Sequence, residues 1–181
     1  KFDSLPAQYS HLYLCIAGEL AAVICIFDPL RAEAKDAIRA LHACGISKVV
    51  MMTGDNRRTA ASVAEEVGVD EFYAEVLPED KAAFIRREKA AGRTVIMIGD
   101  GVNDSPALSE ADAGVAISTG AAIAREIADI TIASEDLFEL VTLRRISEAL
   151  MGRIHRNYRF IVGFNLGLIV FGVAGLLPPT T

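Results

Sequence analysis

Asp100 and Asp104 stand four positions apart in GDGVNDSPAL, directly after the apolar run Val95–Ile98. Two carboxylates this close repel unless a cation lies between them. With the Asn103 amide they offer hard oxygen donors suited to Mg²⁺, an ion that seldom binds through protein groups alone. Gly99 and Gly101 let the chain turn sharply enough to aim these donors at one point. An Asp-Gly hairpin turn would use similar residues, but the strand–helix alternation around this segment excludes a simple hairpin.

A second cluster lies in MMTGDN, where a short apolar stretch ends at Thr53. Gly54 permits close backbone approach, and Asp55 or Asn56 can cap the following helix. A hydroxyl beside the N–H groups of a helix N-terminus makes a phosphate seat. An ordinary turn with a helix cap accounts for the same residues equally well. In LPEDK, Glu79 and Asp80 suit the positive end of a helix dipole whereas Lys81 does not. Lys81 is therefore either a solvated surface cation or a group that neutralises phosphoryl charge.

The elements that must position these residues follow from the apolar pattern. HLYLCIA and LAAVICIF read as a hairpin turned at Gly18-Glu19. RAEAKDAIRALHACG reads as a helix ended by Gly45. Strands are expected at SKVVMMT, EFYAEV, TVIMIG, AGVAIS and ITIAS, with helices at RRTAASVAEEVG, PEDKAAFIRREKAAG, SPALSEA and AAIAREIA between them. This alternation predicts an α/β fold, a doubly wound Rossmann-like parallel sheet with ligands at the carboxyl ends of its strands. A long final helix is expected from Asp136.

The chain has 181 residues, a hydrophobic content of 52% and a net charge of -6. Net acidity argues against a general nucleic-acid surface. Cys15, Cys25 and Cys44 lack CxxC spacing and read as buried or incidental thiols of a reducing compartment. Phe160 to Leu177 carries no charge, and Arg144, Arg145, Arg153, His155, Arg156 and Arg159 precede it. These features predict a C-terminal transmembrane helix over 160–177 with the preceding segment cytoplasmic; a buried core helix is the other reading. No signal peptide is visible, and the first residue is not Met, which points to residues upstream.

In their order, these motifs resemble the phosphorylation domain of P-type ATPases in the haloacid dehalogenase superfamily, over roughly Leu12 to Leu177. The resemblance implies that Thr53 and Gly54 of the Thr-Gly-Asp motif hold the phosphoryl group, with Asp55 and Lys81 completing the catalytic set. It implies that Asp100 and Asp104 bind Mg²⁺ with Asn103 beside them. Asp28 and Arg31 of DPLR would form the hinge to a nucleotide-binding domain, although Asp-Pro alone commonly starts a turn. On this basis residues 1–27 are the β-hairpin end of the nucleotide-binding domain and 28–135 the phosphorylation domain. Residues 136–159 are then a linking helix and 160–177 the membrane helix. The arginine-rich approach to the apolar run is similar to that of heavy-metal pumps. Asn165 follows Phe164 where copper pumps tend to show a Tyr-Asn pair. Its amide would serve an ion pathway or a helix–helix hydrogen bond.

The family's DKTGT sequence, whose Asp becomes phosphorylated, does not occur in the chain. The resemblance thus implies part of an ATP-driven, Mg²⁺-dependent pump for a transition or heavy-metal cation, seated in a lipid bilayer and completed by further domains. Alone the chain is expected to be inactive. The alternative is a soluble phosphatase of the same superfamily with Asp28 as nucleophile. Such enzymes place a second Asp two residues on, where this chain has Leu30. A receiver-like signalling domain is a further alternative, but its acids cluster near the first strand.

Overall fold

Short β-favouring runs form the first hairpin of the computed structural model, which describes residues 9–26, 29–99, 102–117, 126–132 and 136–175. Strand β1 (Ser10–Ile16) pairs antiparallel with β2 (Glu19–Ile26), with a register shift between Leu14 and Cys15. The turn is Ala17-Gly18 and not the expected Gly18-Glu19. Both turn residues are left-handed, with φ of +51° and +84°, a pairing that suits the twist of the flanking strands. Cys15 and Cys25 are exposed and Cys44 is half-buried, so of the two readings, buried or incidental, burial does not hold for the hairpin thiols. Leu12, Leu14, Ile16, Leu20, Ile24 and Ile26 are exposed as well. Apolar neighbours along a strand do not bury a thiol unless another layer covers the strand.

Helix α1 (Ala34–Ala43) begins three residues later than the pattern suggests, after a turn in which the Ala34 N–H donates to the Arg31 carbonyl. A βαβ unit follows. Strand β3 (Val50–Met52) pairs parallel with β4 (Glu71–Tyr73), and α2 (Arg57–Val67) crosses between them. Of the two candidate caps, Asn56 is the one used: its side-chain oxygen accepts the Arg58 and Thr59 N–H groups. Helix α3 (Pro78–Ala90) has proline in its first turn, and the Asp80 carboxylate accepts the Leu77 N–H.

The second parallel set is β5 (Ile96–Gly99), β6 (Ala113–Ile117) and β7 (Ile130–Ile132) in that order. A 3₁₀ turn (Val102–Asp104) and α4 (Ser105–Glu110) connect β5 to β6. The strands are parallel as expected, but the single continuous sheet is not found. Among the described residues β3–β4 and β5–β6–β7 form separate ladders. Alternation dictates parallel crossovers, and it does not say which strands become neighbours. Residues 121–125 of the expected AAIAREIA helix lie outside the described residues.

The interior is small-residue rich. Ala60, Ala82, Ala107 and Ala116 are almost wholly buried beside Ile85, Leu108 and Val115, so helices lie close on the strands. Lys89 joins α3 to the start of β6: its ammonium donates to the Glu110 carbonyl at 2.7 Å and lies 3.3 Å from the Asp112 carboxylate. Asp112 also accepts the Val95 N–H at 2.8 Å. That backbone bond, and secondarily Lys89, lowers the Asp112 pKa below the ordinary carboxylate value.

The chain divides into two compact units, Lys1–Glu139 and Leu140–Thr181. Helix α5 (Phe138–Val173) contains 36 residues. Among the described residues no helix is long and apolar enough to cross a membrane, so the expected transmembrane span over 160–177 is not found. The uncharged part of α5 from Phe160 to its end at Val173 covers only about 21 Å, against roughly 30 Å of bilayer core. Residues 176–177 lie outside the described set.

Gly114 marks a close helix–strand approach, since a Cβ there would fall 2.7 Å from the Leu108 carbonyl oxygen. Gly114→Ala should destabilise the fold by about 1–3 kcal/mol, read from the urea midpoint. An unchanged midpoint would contradict this packing.

Candidate functional site

Three connecting segments at the carboxyl ends of strands carry the expected residues. The first follows β3. Thr53 donates its hydroxyl hydrogen to the Asp55 carboxylate at 2.8 Å, while the Asp55 N–H donates back to the Thr53 oxygen at 3.1 Å. This reciprocal pair folds Thr53-Gly54-Asp55 into a fixed turn. Gly54 has neither a left-handed φ nor a crowded side-chain position, because the nearest atom to an added Cβ is the Val76 carbonyl oxygen at 3.9 Å. Nothing within the described fold therefore demands glycine there.

The second segment leads from β4 into α3. Val76 N–H donates to the Thr53 carbonyl at 3.0 Å, and Glu75 N–H donates to the Asp55 carbonyl at 2.9 Å. Glu75 adopts φ of +56°, a left-handed conformation that costs a non-glycine residue roughly 1–2 kcal/mol. These bonds tie the threonine turn to the lead-in of α3, whose first turn holds Lys81. Glu75 carries no signal in the sequence, since left-handed glutamate has no composition cue.

The third segment follows β5. Lys81 reaches across to it and pairs with Asp104 at 2.7 Å, with only 16% and 12% of the two side chains exposed. The cation that opposes the dipole of its own helix is thus compensated by a carboxylate from another element. Gly99 keeps that carboxylate in place. An added Cβ would lie 2.7 Å from both the Asp104 Cβ and its Oδ2. Gly99 is needed for room, and no left-handed φ is involved. Asn103 is exposed beside Asp104. Among the described residues the buried Ser105 hydroxyl oxygen has no hydrogen-bond partner, a feature that sequence alone does not reveal.

Thr53, Gly54, Asp55, Lys81, Asn103 and Asp104 therefore stand on three segments linked by hydrogen bonds and one ion pair. Asp28 and Asp100 lie outside the described residues. Arg31 is exposed at the lead-in to α1. Asn165 stands on α5 and donates its amide hydrogen to the Ile161 carbonyl of the same helix at 2.9 Å. Among the described residues no three His, Cys, Asp or Glu side chains gather as a metal site. Asp104 gives one oxygen to Lys81, and its second carboxylate oxygen, the Asn103 amide oxygen and water would suit a hard cation.

Breaking a largely buried ion pair by removing one partner strands the other charge. Lys81→Met should therefore destabilise the protein by about 3–5 kcal/mol, measured by chemical denaturation. A loss below about 1 kcal/mol would show that water screens the pair.

The pattern of the haloacid dehalogenase-like hydrolase family matches residues 3–112. The chain is 46% identical over 172 residues to copper-transporting ATPase 2 of Rhizobium meliloti, covering 95% of this chain and 21% of that protein. It is 46% identical over 169 residues to the silver exporting P-type ATPase of Salmonella typhimurium, covering 93% of this chain and 20% of that protein. The chain thus spans about a fifth of the length of these relatives. Its fold matches the crystal structure of a zinc-transporting PIB-type ATPase in the E2.Pi state, with a TM-score of 0.82 and 33% identity over 94% of this chain and 28% of the other. The catalytic CPx-ATPase domain CopB-B matches with a TM-score of 0.61 and 30% identity over 73% of this chain and 53% of that one. The chain belongs to the haloacid dehalogenase-like hydrolase family, and its relatives are metal-transporting P-type ATPases.

Proposed function

We propose that this chain is the phosphoryl-handling part of a heavy-metal-translocating P-type ATPase. The observation that carries the reading is the buried Lys81–Asp104 pair, joined through the start of α3 to the Thr53-Gly54-Asp55 turn. In the intact pump an aspartate upstream of this chain attacks the γ-phosphate of ATP. The open room at Gly54 suits close approach of a phosphoryl oxygen to the backbone, and the Thr53 hydroxyl would turn its one hydrogen from the Asp55 carboxylate to that oxygen. Lys81 supplies positive charge to it while Asp104 fixes the direction of the ammonium. Because β3 and β5 each have one hydrogen-bonded strand neighbour among the described residues, each retains an edge for a strand supplied by the rest of the pump.

Asp100 and Asp104, with Asn103 beside them, would hold Mg²⁺. Bound there, the ion would neutralise charge developing on the phosphoryl oxygens. Asp28 and Arg31 form the hinge through which a nucleotide-binding domain closes on the site, and β1–β2 is that domain's last hairpin. The apolar end of α5 enters the bilayer in the complete protein, where other membrane helices accompany it, and the catalytic domain is cytoplasmic. Asn165 satisfies its amide within α5, which leaves its carbonyl oxygen available to an ion pathway. The transported cation is a transition or heavy metal, as the copper, silver and zinc transporters among the relatives suggest.

In the full-length pump, Asp104→Ala should abolish the phosphoenzyme formed from labelled ATP and Mg²⁺. Normal labelling would refute the assignment. Gly54→Ala separates anion approach from folding. It should preserve stability, or raise it by about 0.4–1 kcal/mol, while lowering phosphoenzyme at least tenfold; unchanged labelling would mean that no phosphoryl oxygen approaches Gly54.

A further inference from the structure

An unbalanced stripe of cations runs along α5. Between Arg144 and Arg159 the helix carries Arg144, Arg145, Arg153, His155, Arg156 and Arg159 against a single acid, Glu148. Glu148 is already paired with Arg144 at 2.9 Å. Arg145, Arg153, Arg156 and Arg159 are exposed, and none forms an ion pair among the described residues. At about 100° per residue, Arg145, Arg156 and Arg159 fall within a sector of roughly 60°, and Arg153 lies about 60° to one side.

An exposed apolar surface follows directly on the same helix. Phe160, Ile161, Phe164, Leu166, Ile169 and Phe171 are each more than half exposed, and the helix carries no charge from Phe160 to Val173. A fixed band of guanidinium groups thus ends where an apolar surface begins. Guanidinium matches phosphate oxygens in bidentate geometry and is weakly hydrated. A helix of this design presents its cations at headgroup level when its apolar end is buried in acyl chains.

We infer that Arg145, Arg153, Arg156 and Arg159 form a binding stripe for the phosphates of anionic phospholipids. This rests on the reading that the apolar end of α5 enters a bilayer, and it adds a requirement for lipid charge. An orientation signal needs only an excess of cations beside the apolar run. Their concentration on one side of the helix is what a lipid headgroup contact requires.

Flotation of the 181-residue chain with vesicles separates the two claims. Vesicles of phosphatidylcholine alone are compared with vesicles containing about 30 mol% phosphatidylglycerol, at low and high salt. The chain should partition into both, and on the order of 100-fold more strongly into the anionic vesicles at low salt. Arg145→Gln/Arg156→Gln/Arg159→Gln should erase that preference and leave binding to phosphatidylcholine unchanged. The corresponding triple Lys variant should keep most of the preference. Equal partitioning of the unaltered chain into both vesicle types would overturn the headgroup stripe while bilayer entry stood. A preference that survives the Gln variant would overturn the assignment to these arginines. Failure to bind either vesicle would overturn both claims.

Discussion

A lysine ammonium and an aspartate carboxylate, both largely withdrawn from water, hold the candidate site together. Lys81 comes from the first turn of α3 and Asp104 from the turn after β5. Neither charge is comfortable alone: Lys81 faces the positive end of its own helix, and Asp104 is buried. Each offsets the desolvation of the other, so the pair fixes two segments that the chain separates by 23 positions. Such a pair is weak evidence for stability as such. Its value is geometric, because it leaves one carboxylate oxygen and an oriented ammonium on the same side of the domain.

The remaining packing serves that geometry. Gly99 makes room for the Asp104 side chain, and Gly114 lets α4, which follows Asp104 directly, lie on β6. Lys89 and Arg86 tie α3 to the end of α4 through Glu110. The threonine turn is set by its own reciprocal bonds and by the two backbone bonds from Glu75 and Val76. A cation that replaced Lys81 as the partner of Asp104 would therefore disturb α3 and the lead-in to the threonine turn together. This gives a physical route by which charge at the site is felt beyond it.

Where a residue's role is local, the sequence was readable. Asn56 caps α2, Pro78 opens α3, and Gly45 and Gly92 end helices with left-handed φ. Lys81 stands out because a cation opposes the dipole at a helix start, and Asp104 because a second carboxylate lies so near it, whereas Thr53 fits an ordinary turn equally well. Non-local facts were hidden. The split into two ladders depends on strand neighbours, which alternation does not specify. The Ala17-Gly18 turn depends on a register shift in the hairpin. Exposed Cys15 and Cys25 depend on what covers the hairpin, and Glu75 on bonds from a distant loop. The apolar run after Phe160 has the length of a full membrane span only if it extends past Val173, where the described helix ends.

The most direct test is a crystal structure of the intact pump with Mg²⁺ and a beryllium fluoride phosphate analogue. The account predicts analogue fluorines within about 3 Å of the Thr53 hydroxyl and the Lys81 ammonium, with Asp104 still touching Lys81. An analogue seated away from both side chains, with the Lys81–Asp104 pair intact, would contradict it.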